Sequence, residues 1–295
     1  GGLIMDINYE LYKVFYHVAN TLSFSEASKQ LFISQSAVSQ SIKVLEKKLN
    51  QHLFIRSTKR VQLTPEGEIL LKHIEPAMNL IKQGENQLLE ANTLNGGQLR
   101  IGASDTICRY YLIPYLKEFH RKYPNVHIKV TNQTSIACAK LLESGQVDFA
   151  ITNYPNSGLS NTQNVRIIHE FHDVFAANEE YGSLRGKTVT LKELQTCPIL
   201  MLDRKSTTSE FLHSMFQRHQ LDLVPEIELS SNELLIDLAR IGLGIAFVPD
   251  YCIPEKDPDL FIVHLEEQLP ARQMVVAYNE NIPLSQAARQ FIDML

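Results

Sequence analysis

The chain has 295 residues, a length typical of two or three domains, since one domain takes roughly 100–200 residues. Hydrophobic residues make up 44% and charged residues 21%, which excludes a disordered or fibrous protein. No apolar run approaches the ~18 residues of a membrane span, and the first residues do not resemble a signal peptide. The four cysteines are widely spaced and form no CxxC pair. We therefore expect a cytoplasmic protein with no membrane partner, metal, cofactor or disulfide.

The formal net charge of −5 conceals a division along the chain. Residues 1–60 contain eight Lys or Arg against four Asp or Glu, a net of +4. Residues 61–95 have a net of −3 and residues 96–295 a net of −6. A basic head on an acidic body is the asymmetry expected when only one end of a protein contacts phosphate.

The first sixty residues show helical periodicity in three short segments. The second segment begins near Phe24, with Ser25 as its predicted N-cap and Phe32 turned inward. The third follows a break at Ile33-Ser34. A short helix, a tight turn and a longer helix are typical of a helix-turn-helix. Alternating residues on both sides of Ser57-Thr58-Lys59 predict a small two-stranded wing.

A long helix is predicted to begin at Thr64-Pro65, with Thr64 as N-cap, and to run to about Leu94. Pro76 predicts a kink. Apolar residues at alternating spacings of four and three predict a coiled-coil seam that joins two copies of the chain. The alternative is a helix that packs on its own domain. The seam consists of Leu70, Ile74, Ala77, Ile81, Gly84, Leu88 and Ala91.

From Gln98 onward the pattern alternates between short apolar strands and helical segments over about 200 residues. This alternation predicts an α/β fold with a largely parallel sheet and helices on both of its faces. The length exceeds one mononucleotide-sized unit, so we expect two lobes with a cleft between them.

Several motifs together resemble the LysR-type transcriptional regulators, over essentially the whole chain after Met5. The N-terminal ones give helix-turn-helix, wing and linker in the family's order, and the later ones are looser. They are Ser25-Glu26-Ala27-Ser28, residues 31–39 (LFISQSAVS), Leu53-Phe54-Ile55-Arg56, residues 63–67 (LTPEG), residues 99–104 (LRIGAS), Gly242-Leu243-Gly244 and Val248-Pro249.

The resemblance implies a DNA-binding regulator rather than an enzyme. It implies a winged helix-turn-helix at residues 5–64, a linker and dimerisation helix at 65–95, and an effector domain at 98–295 like a periplasmic binding protein. Lobe I would hold residues 98–162 with 270–295, and lobe II residues 163–269. The partners implied are double-stranded DNA at an interrupted inverted repeat in a promoter, a small-molecule effector, further copies in a homodimer or homotetramer, and RNA polymerase.

The third helix should place its first side chains in the major groove of DNA. Gln can contact adenine through two hydrogen bonds, and basic residues suit phosphates or the minor groove. Many relatives carry Arg at the position of Gln40, so base preference can differ here. The alternative is an ordinary solvated helix face. The predicted DNA contacts are Ser34, Gln35, Ser36, Ser39, Gln40, Lys43, Arg56, Lys59 and Arg60.

Hydroxyl-bearing turns at helix starts predict a site for an anionic or amino-acid-like effector, because free N–H groups there favour negative charge. The alternative is that these residues are N-caps, which is the interpretation favoured for Ser231. Asp105 fits an anion poorly and could bind the amine of a zwitterion. Residues 101–111 resemble regulators of sulfur assimilation, which makes sulfate, an acetylated serine or an amino acid candidates. The predicted effector contacts are Gly102, Ser104, Thr106, Gln133, Thr134, Ser135, Ser206 and Thr207.

Three other functions compete with this interpretation. An enzyme is disfavoured because the sequence has no G-x-S-x-G, HExxH or phosphate-loop motif. A binding protein without DNA function leaves the basic helix-turn-helix unexplained. A redox-responsive LysR-type regulator would sense through cysteine, with Cys108 near the cleft. However, Cys197 and Cys252 do not reproduce the closely spaced pair of the family's peroxide sensors, so we expect inert buried thiols.

Overall fold

The computed structural model describes residues 6–57, 60–91 and 96–295. Lys59 and the predicted last turn of the linker helix up to Leu94 lie outside these ranges. The chain divides into two compact units, the first comprising Gly1–Leu89 with Ser144–Gln146 and the second Glu90–Glu143 with Val147–Leu295. In the described ranges, no helix combines the length and the apolar character needed to cross a membrane.

The first unit is a helix-turn-helix with a wing, as predicted. The two strands of the wing pair antiparallel, with Phe54 opposite Leu63. Its core is built on Phe15, Val18 and Leu45, which are fully buried. The elements are α1 (Tyr9–Thr21), α2 (Phe24–Leu31), α3 (Gln35–Leu49), β1 (Phe54–Arg56), β2 (Val61–Leu63) and α4 (Pro65–Ala91).

Both ends of α2 differ from the prediction. Its N-cap is Ser23, whose hydroxyl accepts a hydrogen bond from the Glu26 amide at 3.1 Å, so Ser25 lies inside the helix. Phe32 is its C-cap in the left-handed conformation, with φ of 55°, and is 94% exposed. The chain leaves the helical path at Phe32, which turns the ring outward instead of into the core.

The start of α4 agrees with the prediction, because the Thr64 hydroxyl accepts from the Gly67 amide at 3.0 Å. Pro76 lies inside the helix. The first two seam residues, Leu70 and Ile74, pack against the helix-turn-helix core. Farther along, Ile81 is 60% and Leu88 71% exposed in the single chain. The N-terminal part of the seam therefore packs within its own domain, whereas its later part exposes apolar side chains.

The second unit contains nineteen further named elements, and a π-helical turn at Cys108–Leu112 joins its first two helices. In chain order they are β3 (Gly97–Ala103), α5 (Asp105–Ile107), α6 (Ile113–Lys122), β4 (Val126–Asn132), α7 (Ser135–Glu143), β5 (Phe149–Tyr154), β6 (Gln163–Phe171), β7 (Asp173–Ala177), β8 (Thr188–Val189), α8 (Leu191–Leu194), β9 (Ile199–Leu202), α9 (Thr207–Arg218), β10 (Ile227–Leu229), α10 (Asn232–Arg240), β11 (Ile245–Pro249), β12 (Phe261–Ile262), β13 (His264–Leu265), β14 (Arg272–Asn279) and α11 (Gln286–Met294).

Two five-stranded sheets organise this unit into two lobes. Their strand orders are β4-β3-β5-β14-β6 and β10-β9-β11-β7-β12. In each sheet the first three strands pair in parallel, and each of the last two pairs antiparallel with the strand before it. The sheets are therefore mixed. Each lobe has its own aromatic core, with Phe119, Phe149 and Phe291 in the first and Phe175, Phe216 and Phe247 in the second.

The predicted lobe boundary between residues 162 and 163 is wrong. Strand β6 pairs along its whole length with β14 in the first sheet, so residues 163–171 belong to lobe I. The chain enters lobe II only between Phe171 and Asp173. The error arose because β6 is an edge strand whose side chains are mostly exposed, and its sequence therefore lacks the apolar run of a buried strand.

Candidate functional site

The start of α3 presents a polar, exposed surface. Ser34 caps the helix: its hydroxyl accepts from the Ala37 amide at 3.1 Å and lies 2.9 Å from the Ser36 hydroxyl. Gln35, Gln40 and Lys43 are exposed along the same helix. Short polar side chains followed by amides and a lysine form a surface that can enter a groove of DNA.

Arg56, one of the predicted DNA contacts, makes several contacts within the protein. Its guanidinium donates to the Ser39 hydroxyl at 3.2 Å, lies 3.8 Å from a Glu46 carboxylate oxygen and packs over the Phe24 ring. Glu46, which sequence reasoning missed, also accepts from the amides of Leu53 and Phe54 at 2.8 and 3.3 Å. This pair of charged residues therefore fixes the first wing strand, β1, against α3.

The wing turn is closed by Ser57. Its hydroxyl donates to the Arg60 carbonyl and accepts from the Arg60 amide, both at 3.1 Å. Arg60 is exposed, where its guanidinium can reach a phosphate. The wing thus adds a cation beside the surface formed by the start of α3.

A cavity of about 290 Å³ lies between the two lobes of the second unit. Seven of the eight predicted effector contacts line it. The exception is Gly102, which is buried in β3, where an added Cβ would lie 3.5–3.6 Å from Val147 and Cys138. The seven are Ser104, Thr106, Gln133, Thr134, Ser135, Ser206 and Thr207.

The lining residues follow the carboxyl ends of parallel strands in both sheets. Ser104 follows β3, Gln133 follows β4, and Asp203 and Ser230 follow β9 and β10. Ligands of α/β proteins bind at such strand ends. Sequence reasoning considered Asp105 as a contact for an amine but did not assign these further lining residues to the site: Asn132, Asn153, Leu202, Asp203, Thr208, Ser230, Ser231, Asn232 and Glu233. Their position at or just after the carboxyl end of a strand, or at a helix start, was the available signal.

Several of the lining hydroxyls also cap helices, as the alternative interpretation expected. Ser104, Thr134 and Ser206 accept from the amides three residues on at 3.1–3.2 Å. Ser206 also donates to the Asp203 carbonyl at 2.9 Å. Ser231 caps α10, as expected, through the Leu234 amide at 3.2 Å. Capping therefore holds each of these hydroxyl oxygens at the start of a helix that borders the cavity.

Direct bonds join the lobes around the cavity. The Asn232 amide nitrogen donates to the Thr106 hydroxyl at 3.0 Å, and the Ser157 hydroxyl to a Glu210 carboxylate oxygen at 3.0 Å. Arg272 on β14 contacts Asp173 at the start of β7 and donates to the Thr208 hydroxyl at 2.9 Å. Thr208 also lines the cavity. It therefore borders both the cavity and the Arg272–Asp173 pair, which lies where the chain crosses between the lobes.

The cysteines are poorly suited to thiolate chemistry. Burial raises the pKa of Cys108 to about 11 and that of Cys138 to about 12. Burial also raises the pKa of Cys197 and of Cys252. A thiol that stays protonated at neutral pH is a weak nucleophile. The raised pKa values therefore disfavour sensing through a cysteine thiolate.

Comparisons with known proteins agree with this arrangement. The family model for bacterial regulatory helix-turn-helix proteins of the lysR family matches residues 9–68, and the model for the LysR substrate binding domain matches residues 92–295. A probable RuBisCO transcriptional regulator from Trichormus variabilis is 29% identical, over 91% of this chain and 82% of its own length.

Two solved structures share the fold. Full-length CbnR complexed with its target DNA has a TM-score of 0.64 at 17% identity, over 97% of this chain and 98% of its own. The regulatory domain of Synechocystis PCC6803 CcmR in complex with 2-PG has a TM-score of 0.61 at 23% identity, over 68% of this chain and 95% of its own.

A helix-turn-helix with a wing and a two-lobed ligand-binding domain define a DNA-binding regulator that responds to a small molecule. With both family models matched across most of its length, the chain belongs to the LysR family of transcriptional regulators.

Proposed function

We propose that the start of α3 reads base edges in the major groove through Gln35, Ser36 and Gln40, while Lys43 and Arg60 contact phosphates. The observation that carries this proposal is the exposed polar face that begins at the capped Ser34. Arg56 acts differently, because its bonds to Ser39 and Glu46 hold the wing against α3. The target is an interrupted inverted repeat in a promoter, with one half for each copy in a dimer.

The effector is a small molecule in the cavity between the lobes, and its binding changes their relative orientation. Support comes from the seven predicted contacts that line the cavity and from the bonds that join the lobes beside it. The exposed Ile81 and Leu88 on α4 suit contact with a second chain, in a homodimer or homotetramer. The protein acts in the cytoplasm, with RNA polymerase as a further partner.

In vitro selection from random duplexes tests the DNA half of the proposal with the full chain. We expect enrichment of an inverted repeat whose half-sites lie one helical turn or a multiple of it apart, as for other dimeric helix-turn-helix proteins. Enrichment of a single half-site would contradict a dimer with two recognition helices. A failure to enrich any motif would contradict sequence-specific reading by α3.

A variant that fills the cavity tests whether the effector binds there. Low-molecular-weight metabolites from a bacterial extract should raise the melting temperature of the native chain but not of Gln133→Trp, whose ring occupies the cavity. Gln268→Trp is the matched control, since Gln268 is exposed and outside the cavity lining. A ligand at 100 times its dissociation constant stabilises by about 2.7 kcal/mol, a readable shift. Equal shifts in all three proteins would place the effector elsewhere.

A further inference from the structure

The cavity between the lobes is acidic. Asp105, Asp203 and Glu233 line it, and within the described part of the chain no Lys or Arg does. Arg272, where the chain crosses between the lobes, is held by Asp173 and Thr208. A ligand that carried only negative charge would therefore face three carboxylates without a cationic side chain among its neighbours.

Three oxygens of the lining have no hydrogen-bond donor among the described residues. They are Oε1 of Glu233, Oδ1 of Asn153 and Oδ1 of Asn232. Asn153 and Asn232 are only 8% and 4% exposed. These oxygens are enclosed by the protein, and a buried acceptor without a donor is unfavourable, so turning them toward the N–H groups of a ligand would relieve that cost.

The neighbouring groups can hold the other end of a ligand. The helices α7, α9 and α10 begin at the cavity, and partial positive charge at such helix starts favours an anion. Ser104 and Thr134 use their oxygens to accept from backbone amides, so their O–H groups remain available to donate. The cavity thus offers donors on some sides and an excess of acceptors and negative charge on others.

We propose that the effector is a compact zwitterion of the amino-acid class, whose protonated amine is bound by Glu233, Asp203 and the two asparagine oxygens. This proposal rests on the proposed function, because it concerns the ligand of the same cleft. The described residues contain no group of His, Cys, Asp and Glu arranged to hold a metal ion, which favours an organic cation. A volume of about 290 Å³ suits a small molecule.

The experiment compares matched pairs of ligands on the full chain by thermal shift and calorimetry. Each pair consists of an amino acid and the acid in which a hydroxyl replaces its amine: serine and glycerate, aspartate and malate, glutamate and 2-hydroxyglutarate. Sulfate and 2-PG are added as anions without an amine. We expect an amine-bearing member to bind at least about tenfold more tightly than its hydroxy counterpart, because a charge-assisted hydrogen bond is lost with the amine.

Charge-neutralising variants then test the residues. Glu233→Gln and Asp203→Asn keep the shape of the side chain. Each should weaken binding of the amino acid by about tenfold, while the hydroxy acid binds equally well or better. Glu255→Gln removes the same charge from an exposed residue outside the cavity lining and should change nothing. Equally weaker binding of the amino acid and of its hydroxy counterpart would overturn the assignment of the amine to these carboxylates.

Two results separate this proposal from the proposed function. Tighter binding of a hydroxy acid, sulfate or 2-PG, abolished by Gln133→Trp, would overturn the amine subsite and leave the cleft as the effector site. Binding of an amino acid that Gln133→Trp leaves intact would overturn the cleft itself. If no amine-bearing member binds, the proposal is wrong.

Discussion

Arg272 and Asp173 form a doubly hydrogen-bonded ion pair at the place where the chain passes twice between the lobes. The Arg272 Nε and Nη2 atoms lie 2.6 and 2.7 Å from the two carboxylate oxygens of Asp173. Arg272 is 1% exposed, and its guanidinium also packs against the rings of Phe171 and Phe211. The pair joins the first residue of β14 to the first residue of β7, and so ties the two crossovers together.

Arg272→Met should destabilise the effector domain strongly. It leaves the buried Asp173 carboxylate without its partner, and breaking such a pair costs about 3–5 kcal/mol. Hydrogen exchange of the amides of β7 and β14 measures this free energy of opening in the full chain.

Two further variants give this experiment its controls. Arg272→Met combined with Asp173→Leu removes both charges and should cost less than the single change. Arg185→Met breaks an exposed pair with Glu179 and should cost less than about 1 kcal/mol. If Arg272→Met lowers the free energy of opening as little as Arg185→Met does, the crossovers do not depend on the ion pair.

Thr106→Val should loosen the contact between the lobes beside the cavity. The valine keeps the shape of threonine but removes the acceptor of the Asn232 amide at 3.0 Å, and such a loss costs about 1–3 kcal/mol. Amides at the starts of α5 and α10 should then exchange faster. Thr188→Val, at an exposed position on β8, is the control. Unchanged exchange in Thr106→Val would mean that this bond does not hold the lobes.

Phe32→Gly should stabilise the helix-turn-helix by about 1 kcal/mol, because a left-handed residue other than glycine is strained. The ring is 94% exposed, so little burial is lost with it. Phe32→Ala removes the ring but keeps the Cβ atom, and should give no such gain. Slower hydrogen exchange in α2 and α3 of the glycine variant alone is the expected result. Destabilisation by both variants would show that the ring contributes contacts of its own.

Cys108 should react slowly with iodoacetamide in the folded protein at pH 7.5. Its pKa of about 11 leaves less than about one thiol in a thousand ionised at that pH, and the fraction rises with pH. The rate should increase sharply on unfolding, and peroxide should leave DNA affinity unchanged. Fast labelling, together with a reversible peroxide effect that Cys108→Ser abolishes, would instead support a redox sensor.

The sequence predicted the elements whose signals are local. Helical periodicity and the cap at Thr64 identified the N-terminal helices and the start of α4, because a cap acts within one turn. Polar residues after strands identified seven of the seventeen residues that line the cavity, since the carboxyl ends of parallel strands meet at one edge of a sheet.

Features that depend on distant pairing were not accessible in this way. Strand β6 is an edge strand stabilised by β14, more than a hundred residues later, and its own pattern is mostly polar. The hydrogen bond from Arg56 to Ser39 joins the wing to α3, and the sequence pattern of neither segment predicts it. Asp105, Asp203 and Glu233 come from both lobes, so only the fold brings their charges to one cavity.

The proposed division of roles has the start of α3 read bases while the cations around it bind phosphate. Titration of a selected duplex and a scrambled one with the full chain, at several salt concentrations, separates the two roles. Gln35→Ala should lose affinity for the selected duplex by about 1–3 kcal/mol and leave the scrambled one unchanged. Lys43→Ala should weaken both equally and reduce the salt slope by about one. Equal losses on both duplexes for Gln35→Ala would contradict base reading by α3.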